Sequence, residues 1–176
     1  MKRLSAAVRN KAARINLLLL DVDGVLTDGR IIINDRGIET KHFHVRDGQG
    51  IALLLRAGID VGFLSARNSA CVRHRAKELG VRLVLLGVPS KLDAYTAIKR
   101  ERRLKDFQIA YMGDDIVDLP ILRRAGLAIS VRDGWNGLRA SVDAITAANG
   151  GNGAVREVAE VLLKAQRKWP SLKNRN

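Results

Sequence analysis

Two aspartates separated by a single residue stand at the end of an apolar run near the start of the chain. Residues 15–22 are too short for a helix and predict a buried strand that ends in Asp21 and Asp23. Because side chains repeat every two residues in an extended segment, the two carboxylates face the same side. Asp21 can then attack phosphorus, while Asp23, when protonated, donates to the leaving alkoxide and later activates water. The pair therefore favours phosphoryl transfer through a covalent intermediate.

Polar side chains also stand at the ends of the strands predicted further along the chain. They supply a hydroxyl, two cations and three carboxylates: Ser65, Arg67, Lys91, Asp114, Asp115 and Asp118. In an open parallel sheet, ligands bind at the edge where the strands have their carboxyl ends. We therefore expect these side chains to meet Asp21 and Asp23 at one edge of the sheet.

The chemistry of this set favours a magnesium-dependent reaction of a phosphate ester. Clustered carboxylates repel one another and recruit a cation, and oxygen ligands together with a substrate phosphate suit Mg²⁺. Lys91 and the hydroxyl of Ser65 can hold the phosphoryl oxygens as charge develops on them. Asp115 and Asp118 are interpreted as outer groups that orient Lys91 and the waters on the metal.

Apolar runs typical of buried strands alternate with helical patterns along most of the chain. The predicted strands are residues 15–22, 60–65, 82–86, 107–113 and 127–131, with a short edge strand at 144–146. The predicted helices are residues 47–57, 68–79, 91–103, 116–124 and 154–166. This alternation predicts an α/β fold with a doubly wound parallel sheet, Rossmann-like, covered by helices on both faces.

Residues 30–45 interrupt the alternation of strands and helices. Two β-rich pieces, residues 31–33 and 40–45, flank the turn-forming sequence Asn34-Asp35-Arg36-Gly37. This pattern predicts a protruding β-hairpin.

The spacing of the candidate site residues leaves no room for a cap domain. Between Asp23 and Ser65 there is only the hairpin and one helix, and between Lys91 and Asp114 only one helix and one strand. Neither interval can hold a lid domain of about 50 residues, so residues 1–176 are predicted to form a single capless domain. An uncovered site and an unpaired apolar hairpin edge both favour association with further copies. We expect a homo-oligomer, a tetramer, held together by residues 30–45.

The composition excludes several classes of protein. The 176 residues are 47% hydrophobic and 28% charged, enough to fill a core and unlike a disordered chain. No apolar run approaches the ~20 residues needed to cross a bilayer, so no membrane partner is expected. The single cysteine, Cys71, excludes an internal disulfide framework, and with no secretory signal visible the sequence favours the cytoplasm.

The net charge of +13 is concentrated at the two ends of the chain. Residues 1–14 and 161–176 each carry five cations and no acid, so the intervening body is close to balanced. Basic ends without an aromatic-rich basic surface do not favour nucleic acid as a partner. Leu4, Val8 and Ile15 share one face at helical spacing, which predicts a short helix docked on the body.

The motifs together resemble the haloacid dehalogenase superfamily of aspartyl phosphatases. The superfamily resemblance rests on four features: D-V-D-G-V-L-T-D-G at 21–29, Ser65 after a strand, Lys91, and G-D-D-I-V-D at 113–118. More narrowly, residues 21–29, H-V-R-D-G at 44–48 and G-A-V-R-E-V at 153–158 resemble the 3-deoxy-D-manno-octulosonate (KDO) 8-phosphate phosphatases. The resemblance extends over residues 17–166.

The resemblance implies a role for each matching residue. It implies that Asp21 is the nucleophile, that Asp23 is the general acid and base, and that Ser65 and Lys91 bind the phosphoryl group. Mg²⁺ would be held by Asp21, the backbone carbonyl of Asp23 and Asp114. The substrate, a sugar-acid phosphate, would be contacted by seven residues: His44, Val45, Arg46, Asp47, Gly48, Arg67 and Arg75. Subunits of a homotetramer would cover one another's sites, with the hairpin at the interface.

Three departures from the family pattern leave the substrate open. Ala52 and Asn152 stand where the family commonly has arginines, and Ala66 replaces the glycine before Arg67. Fewer cations would weaken binding of a sugar carboxylate, so a sialic-acid-type nonulosonate 9-phosphate is an alternative substrate to KDO 8-phosphate.

Two other functional classes share part of this pattern. A receiver domain also gathers aspartates at a sheet edge, but it has its phosphoacceptor on a later strand and its lysine on the last one, whereas Lys91 follows the third. A noncatalytic oligomerisation module, like the domains fused to sialic-acid cytidylyltransferases, has no physical need for clustered carboxylates.

Overall fold

The computed structural model describes residues 5–169. The predicted contribution of Leu4 to a docked helix, and the basic residues Lys2, Arg3, Lys173 and Arg175, lie outside that range. The helices are α1 (Ala6–Ala12), α2 (Val45–Arg56), α3 (Ala70–Leu79), α4 (Lys91–Glu101), α5 (Leu119–Leu122) and α6 (Ala154–Ala165). The strands are β1 (Leu17–Leu20), β2 (Ile32–Ile33), β3 (Glu39–Thr40), β4 (Asp60–Ser65), β5 (Leu83–Leu86), β6 (Ile109–Gly113), β7 (Leu127–Ser130) and β8 (Ala144–Ile145).

Six strands form one sheet in the order β5-β4-β1-β6-β7-β8, and every neighbouring pair is parallel. The four leucines of β1 are all buried, as expected for a central strand covered on both faces. Leu20 is in register with Phe63 of β4 and Met112 of β6. These three residues lie at the same level of the sheet. Asp21, Ser65 and Asp114 come one or two residues later in the chain, so they lie at the same edge.

Helices cover both faces of the sheet. Leu18 and Leu20 of β1 belong to the core under α1, α2, α3 and α6, whereas Leu17 and Leu19 belong to the core under α4 and α5. Alternate side chains of one strand thus fill two opposite layers. The structure confirms the predicted α/β fold with a doubly wound parallel sheet, and within residues 5–169 no inserted cap domain interrupts it.

The β-hairpin is present but shorter than the sequence predicts. Only Ile32–Ile33 and Glu39–Thr40 pair, antiparallel, and the prediction of a second piece reaching residue 45 is wrong. Val45 instead begins α2, where the side chain of His44 caps the helix by accepting from the backbone N–H of Arg46. A β-branched residue is tolerated at this first helical position because no preceding turn of helix crowds its side chain.

The predicted helix over residues 116–124 is also altered. The chain forms a 3₁₀ turn at Ile116–Asp118 and then a single turn of α-helix, Leu119–Leu122, with Pro120 in its first turn. The remaining predicted helices and sheet strands occur with modest shifts at their ends. Within the described part of the chain, no helix combines the length and apolar character needed to span a bilayer.

Candidate active site

Lys91 lies between two carboxylates at the carboxyl edge of the sheet. Its Nζ is 2.8 Å from Oδ1 of Asp21, directly after β1, and 2.7 Å from Oδ1 of Asp118. Lys91 is the first residue of α4, a helix that begins at Ser90, whose hydroxyl accepts from the backbone N–H of Asp93. All three charged side chains are buried, so their attraction is screened much less than it would be at the surface.

Asp118 has its hydrogen-bonding capacity filled by the protein. Oδ1 accepts from Lys91 and, at 2.6 Å, from the hydroxyl of Tyr111, while Oδ2 accepts from the backbone N–H groups of Asp114 and Asp115. A fully buried carboxylate with these donors is an anchor for Lys91 and for the turn that carries Asp114. Asp118 thus has the contact with Lys91 that an orienting role requires, and that role stays a prediction.

Asp21, Asp114 and Asp118 form a carboxylate cluster in which one oxygen from each residue lies within 4.8 Å of the other two. Burial, together with the neighbouring carboxylates, raises the pKa of Asp21 to about 6 and that of Asp114 to about 8. The raised pKa values mean that Lys91 compensates the charge of the ionised pair only in part, and a divalent cation would supply the rest. Because the oxygens of Asp118 are already engaged, Asp21 and Asp114 are the side chains available to such an ion.

Gly24 allows the loop after β1 to pass beside the cluster. Its φ of +91° is in the left-handed region, and a Cβ there would lie 2.0 Å from Oδ2 of Asp114. The peptide that joins Asp23 to Gly24 therefore runs next to Asp114, as a carbonyl ligand from Asp23 requires. The hydroxyl of Thr27 organises the same loop by accepting from the backbone N–H groups of Gly24 and Gly29.

A cavity of about 280 Å³ opens onto this cluster. Its lining contains the candidate nucleophile Asp21, the candidate acid Asp23, and the two cations predicted at the strand ends, Arg67 and Lys91. The other lining residues are Gly29, Ser65, Ala66, Asp114, Asp115 and Val117. The hydroxyl of Ser65 accepts from the backbone N–H of Arg67 at 3.1 Å, which fixes the turn after β4. The size and the mixed charges suit a phosphoryl group.

Two residues of the hairpin that sequence reasoning missed reach this site. Lys41 pairs with Oδ1 of Asp23 and with Oε1 of Glu39, and Glu39 also binds Arg67 at 2.9 Å. The side chain of Lys41 is only 1% exposed. The alternation of the hairpin puts Glu39 and Lys41 on one face, but nothing in the local sequence shows which part of the molecule that face contacts.

The remaining predicted substrate residues do not line the cavity of their own chain. Val45 and Arg46 are exposed, and Arg46 lines a separate groove of about 600 Å³ along α6. Arg75 pairs with Glu78 at 2.8 Å and lies over the ring of Phe43. Gly48 faces Arg75 so closely that a Cβ there would lie 2.2 Å from Nη2.

Asp47 has a structural role at the start of α6. It is only 2% exposed, and its two oxygens accept from the backbone N–H groups of Gly153 and Arg156, at 3.0 and 2.7 Å. These N–H groups have no partner within α6 because they belong to its first turn. Asp47 therefore caps α6, and its contact with substrate stays a prediction.

Asp115 is an exposed residue at the mouth of the cavity. Its Oδ1 accepts from the backbone N–H of Ile116 at 2.7 Å, so it begins the 3₁₀ turn that presents Asp118. Asp115 and Val117 both line the cavity. That Asp115 orients the water molecules on a bound metal ion stays a prediction.

Comparison with known proteins identifies the family. No protein-family model matches the chain. The 3-deoxy-D-manno-octulosonate 8-phosphate phosphatase KdsC of Escherichia coli is 39% identical over 173 residues, which cover 98% of this chain and 92% of that relative. The chain belongs to the KDO 8-phosphate phosphatase family. The resemblance stated from the motifs is thereby confirmed.

Solved structures of the family share the fold closely. The phosphatase from Moraxella catarrhalis, in complex with magnesium, phosphate and KDO, superposes with a TM-score of 0.92 at 44% identity, covering 94% of this chain and 95% of that one. The cobalt-bound phosphatase of Haemophilus influenzae superposes with a TM-score of 0.86 at 40% identity, covering 90% and 92%. Both relatives are therefore metal-binding proteins of the same architecture.

Proposed function

We propose that this chain is a magnesium-dependent phosphomonoester hydrolase that converts KDO 8-phosphate to KDO and phosphate. The observation that carries the proposal is the meeting of Asp21, Asp23, Lys91 and Asp114 around one cavity. Membership of the KDO 8-phosphate phosphatase family and the KDO bound by the Moraxella catarrhalis relative support the choice of substrate.

The first half of the proposed reaction transfers the phosphoryl group to the protein. A carboxylate oxygen of Asp21 attacks phosphorus, the bond between phosphorus and the ester oxygen breaks, and Asp23 gives its proton to that oxygen. The products of this half are the free sugar acid and an aspartyl phosphate. The ammonium of Lys91, 2.8 Å from Asp21, and the hydroxyl of Ser65 stabilise the charge on the phosphoryl oxygens.

The second half returns Asp21 to its starting state. Asp23, now ionised, takes a proton from a water molecule that attacks phosphorus, and the bond from Asp21 to phosphorus breaks. Phosphate leaves and Asp23 is protonated again. Asp21 and Asp114, with the carbonyl of Asp23, would hold Mg²⁺, which supplies positive charge to the phosphoryl group and to the clustered carboxylates.

An oligomer, most simply a tetramer, would complete the site of this single capless domain, residues 1–176. Ile31, Ile32, Ile33 and Ile38 of the hairpin are all exposed, between 38% and 57%, and such a patch favours a contact with a second chain. Residues 44–48 and Arg75 do not line their own cavity. In an oligomer, the substrate in the cavity of a neighbouring copy would be contacted by His44, Val45, Arg46 and Arg75.

Phosphate release from a panel of sugar phosphates, with Mg²⁺ present, tests the substrate. The panel contains KDO 8-phosphate, a sialic-acid-type nonulosonate 9-phosphate and glucose 6-phosphate. We expect the highest kcat/KM with KDO 8-phosphate. A preference for the nonulosonate would instead assign the chain to that substrate, in line with Ala66 in the cavity wall, and no turnover of any member or of p-nitrophenyl phosphate would indicate a noncatalytic module.

A further inference from the structure

The hydroxyl of Tyr111 and the ammonium of Lys91 meet at one oxygen of Asp118. Oδ1 of Asp118 accepts from Tyr111 at 2.6 Å and from Nζ of Lys91 at 2.7 Å. Tyr111 is fully buried and does not line the catalytic cavity, whereas Lys91 does. Tyr111 is therefore linked to the site through Asp118 and does not touch the substrate.

The position of Tyr111 is fixed by the sheet and by the core. It lies in β6, between two neighbouring strands, in register with Leu19 of β1 and Ala128 of β7. Its ring belongs to the core under α4 and α5, where close packing keeps side chains in one rotamer. Asp118 is packed just as closely, because a Cβ on Gly113 would lie 2.4 Å from its own Cβ. The phenol oxygen is thus a donor with a fixed position.

Lys91 needs a partner that stays unchanged during the proposed reaction. Its ammonium ends a flexible four-carbon stem, so its place is set by the two carboxylates that it contacts, Asp21 and Asp118. Asp21 becomes an aspartyl phosphate in the first half of the reaction and is a free carboxylate again only at the end. Asp118 forms no bond to phosphorus, so it is the partner that holds Lys91 throughout.

We propose that Tyr111 is a positioning residue that holds Asp118, and through it Lys91, for phosphoryl transfer, and this rests on the proposed role of Lys91 in the phosphatase reaction. While Tyr111 is present, Oδ1 of Asp118 divides its negative charge between two donors. Without the hydroxyl, Lys91 is the one donor left to Oδ1 within residues 5–169, and the ammonium is drawn away from the phosphoryl oxygens. The charge that develops on those oxygens in the transition state is then stabilised less.

This role has a signature in the kinetic constants. Lys91 serves both halves of the proposed reaction, so a displaced ammonium slows the formation and the hydrolysis of the aspartyl phosphate together, and kcat falls more than KM rises. Vanadate, an analogue of the transition state, should bind more weakly by the factor that is lost in kcat/KM. If Tyr111 only supported the fold, loss of its hydroxyl would lower the Tm and leave these constants unchanged.

The experiment measures kcat, KM and inhibition by vanadate for Tyr111→Phe and Tyr95→Phe, with p-nitrophenyl phosphate and Mg²⁺. Tyr95 is the matched control, because it is also fully buried and donates to an aspartate, Asp106, at 2.7 Å. Asp106 likewise pairs with a lysine, Lys99, at 3.0 Å, and none of these three residues lines the cavity.

In Tyr111→Phe we expect kcat to fall at least about tenfold, less than the 10²–10³-fold cost of removing a whole donor, and KM to change by less than about threefold. Tyr95→Phe should lower the Tm and leave the kinetic constants unchanged. An unchanged kcat in Tyr111→Phe, a rise in KM alone, or an equal fall of kcat in Tyr95→Phe overturns the proposal.

A titration with Mg²⁺ distinguishes an effect on Lys91 from an effect on the metal site. Oδ2 of Asp118 accepts from the backbone N–H of Asp114, a proposed metal ligand, so a disturbed Asp118 has a second route to the reaction. We expect Tyr111→Phe and the wild type to need the same Mg²⁺ concentration for half-maximal activity. Recovery of kcat in Tyr111→Phe at high Mg²⁺ overturns the proposal.

A second variant covers the case in which Tyr111→Phe fails to fold, as judged by thermal unfolding. Asp118→Asn keeps the shape of the side chain, and the backbone N–H groups of Asp114 and Asp115 require its amide oxygen at the position of Oδ2. The amide NH₂ then faces Lys91, so the contact that the proposal needs is lost and the same fall of kcat is expected. A folded Asp118→Asn with the kcat of the wild type overturns the proposal.

The choice of ester separates this proposal from the proposed function. Because p-nitrophenyl phosphate contains no sugar, its hydrolysis without hydrolysis of KDO 8-phosphate overturns only the proposed substrate. A wild type that is inactive on every ester overturns the proposed function and the role of Tyr111 together.

Discussion

The Nζ of Lys91 lies 2.8 Å from Oδ1 of Asp21, and both groups are at least nine-tenths buried. Burial disfavours the carboxylate form of Asp21, and the contact with Lys91 opposes that effect only in part, so the pKa of Asp21 is raised to about 6. At neutral pH the carboxylate is then ionised and close to a cation, but poorly solvated. A nucleophile in that state is ready to react with an electrophilic phosphorus atom.

Asp21→Asn is expected to abolish turnover and leave the fold intact, because the amide is a poor nucleophile and a poor metal ligand. We expect kcat on p-nitrophenyl phosphate to fall by more than about a thousandfold. Asp60→Asn is the matched control, since Asp60 pairs with Arg102 at the opposite end of the sheet. Residual turnover above a thousandth of wild type would remove Asp21 from its proposed role.

Removal of divalent metal is expected to stop turnover. Dialysis against a chelator should abolish phosphate release, Mg²⁺ should restore it, and Ca²⁺ should compete without supporting it, because Ca²⁺ accepts a looser and higher coordination. The measurement is phosphate release by the same preparation before chelation, after it and after each addition. Turnover that survives chelation would contradict the proposed mechanism.

Asp114 is expected to destabilise the metal-free protein at alkaline pH. Its pKa is raised from the ordinary 3.8 to about 8, first by burial and then by Asp21. The folded state thus binds this proton more tightly than the unfolded chain does, so the free energy of unfolding falls as pH rises from about 4 to 8. Asp114→Asn should remove that loss and raise the Tm of the metal-free protein at about pH 9 by at least about 2 °C.

The same variant should lose the response to metal. Mg²⁺ is expected to raise the Tm of the wild type at alkaline pH by mass action, and to leave that of Asp114→Asn unchanged. Differential scanning of both proteins with and without Mg²⁺ checks this. An Asp114→Asn variant less stable than wild type in the absence of metal would show that the carboxylate is stabilising.

The hairpin is expected to hold the subunits together. Ile32→Asp places a charge on the exposed apolar patch and should convert the oligomer to a smaller species in light scattering. Activity on KDO 8-phosphate should fall more than activity on p-nitrophenyl phosphate, which needs little enclosure. Phe107→Asp, an exposed position just before β6, serves as the control, and a monomeric wild type with full activity on the sugar phosphate would defeat this prediction.

Asp47→Ala is expected to lower the free energy of unfolding. The change leaves the backbone N–H groups of Gly153 and Arg156 without their acceptors at the start of α6, at a cost of about 1–3 kcal/mol. Asp93→Ala, at an exposed position in the first turn of α4, should cost less. Denaturant titration of the two variants measures the difference, and equal stabilities would contradict the capping role.

The sequence by itself determined the sheet and the residues at its edge. The strands β1, β4 and β6 are apolar runs too short for helices, and parallel strands deliver their carboxyl ends to one edge. Asp21, Ser65 and Asp114 therefore had to lie along one edge, and the strand order β4-β1-β6 makes them neighbours there. This part of the fold is predictable because apolar periodicity is local, and because helices between successive strands favour parallel crossovers.

The tertiary structure decided which side chains meet across long separations in the sequence. The local pattern of the hairpin does not show that Lys41 pairs with Asp23, and the V-R-D-G motif does not show that Asp47 caps a helix more than 100 residues later. The local preference of Val45 for a strand is likewise overridden where α2 begins. Burial makes these contacts obligatory, because a charged group or helix end removed from water must find a partner in whatever element packs against it.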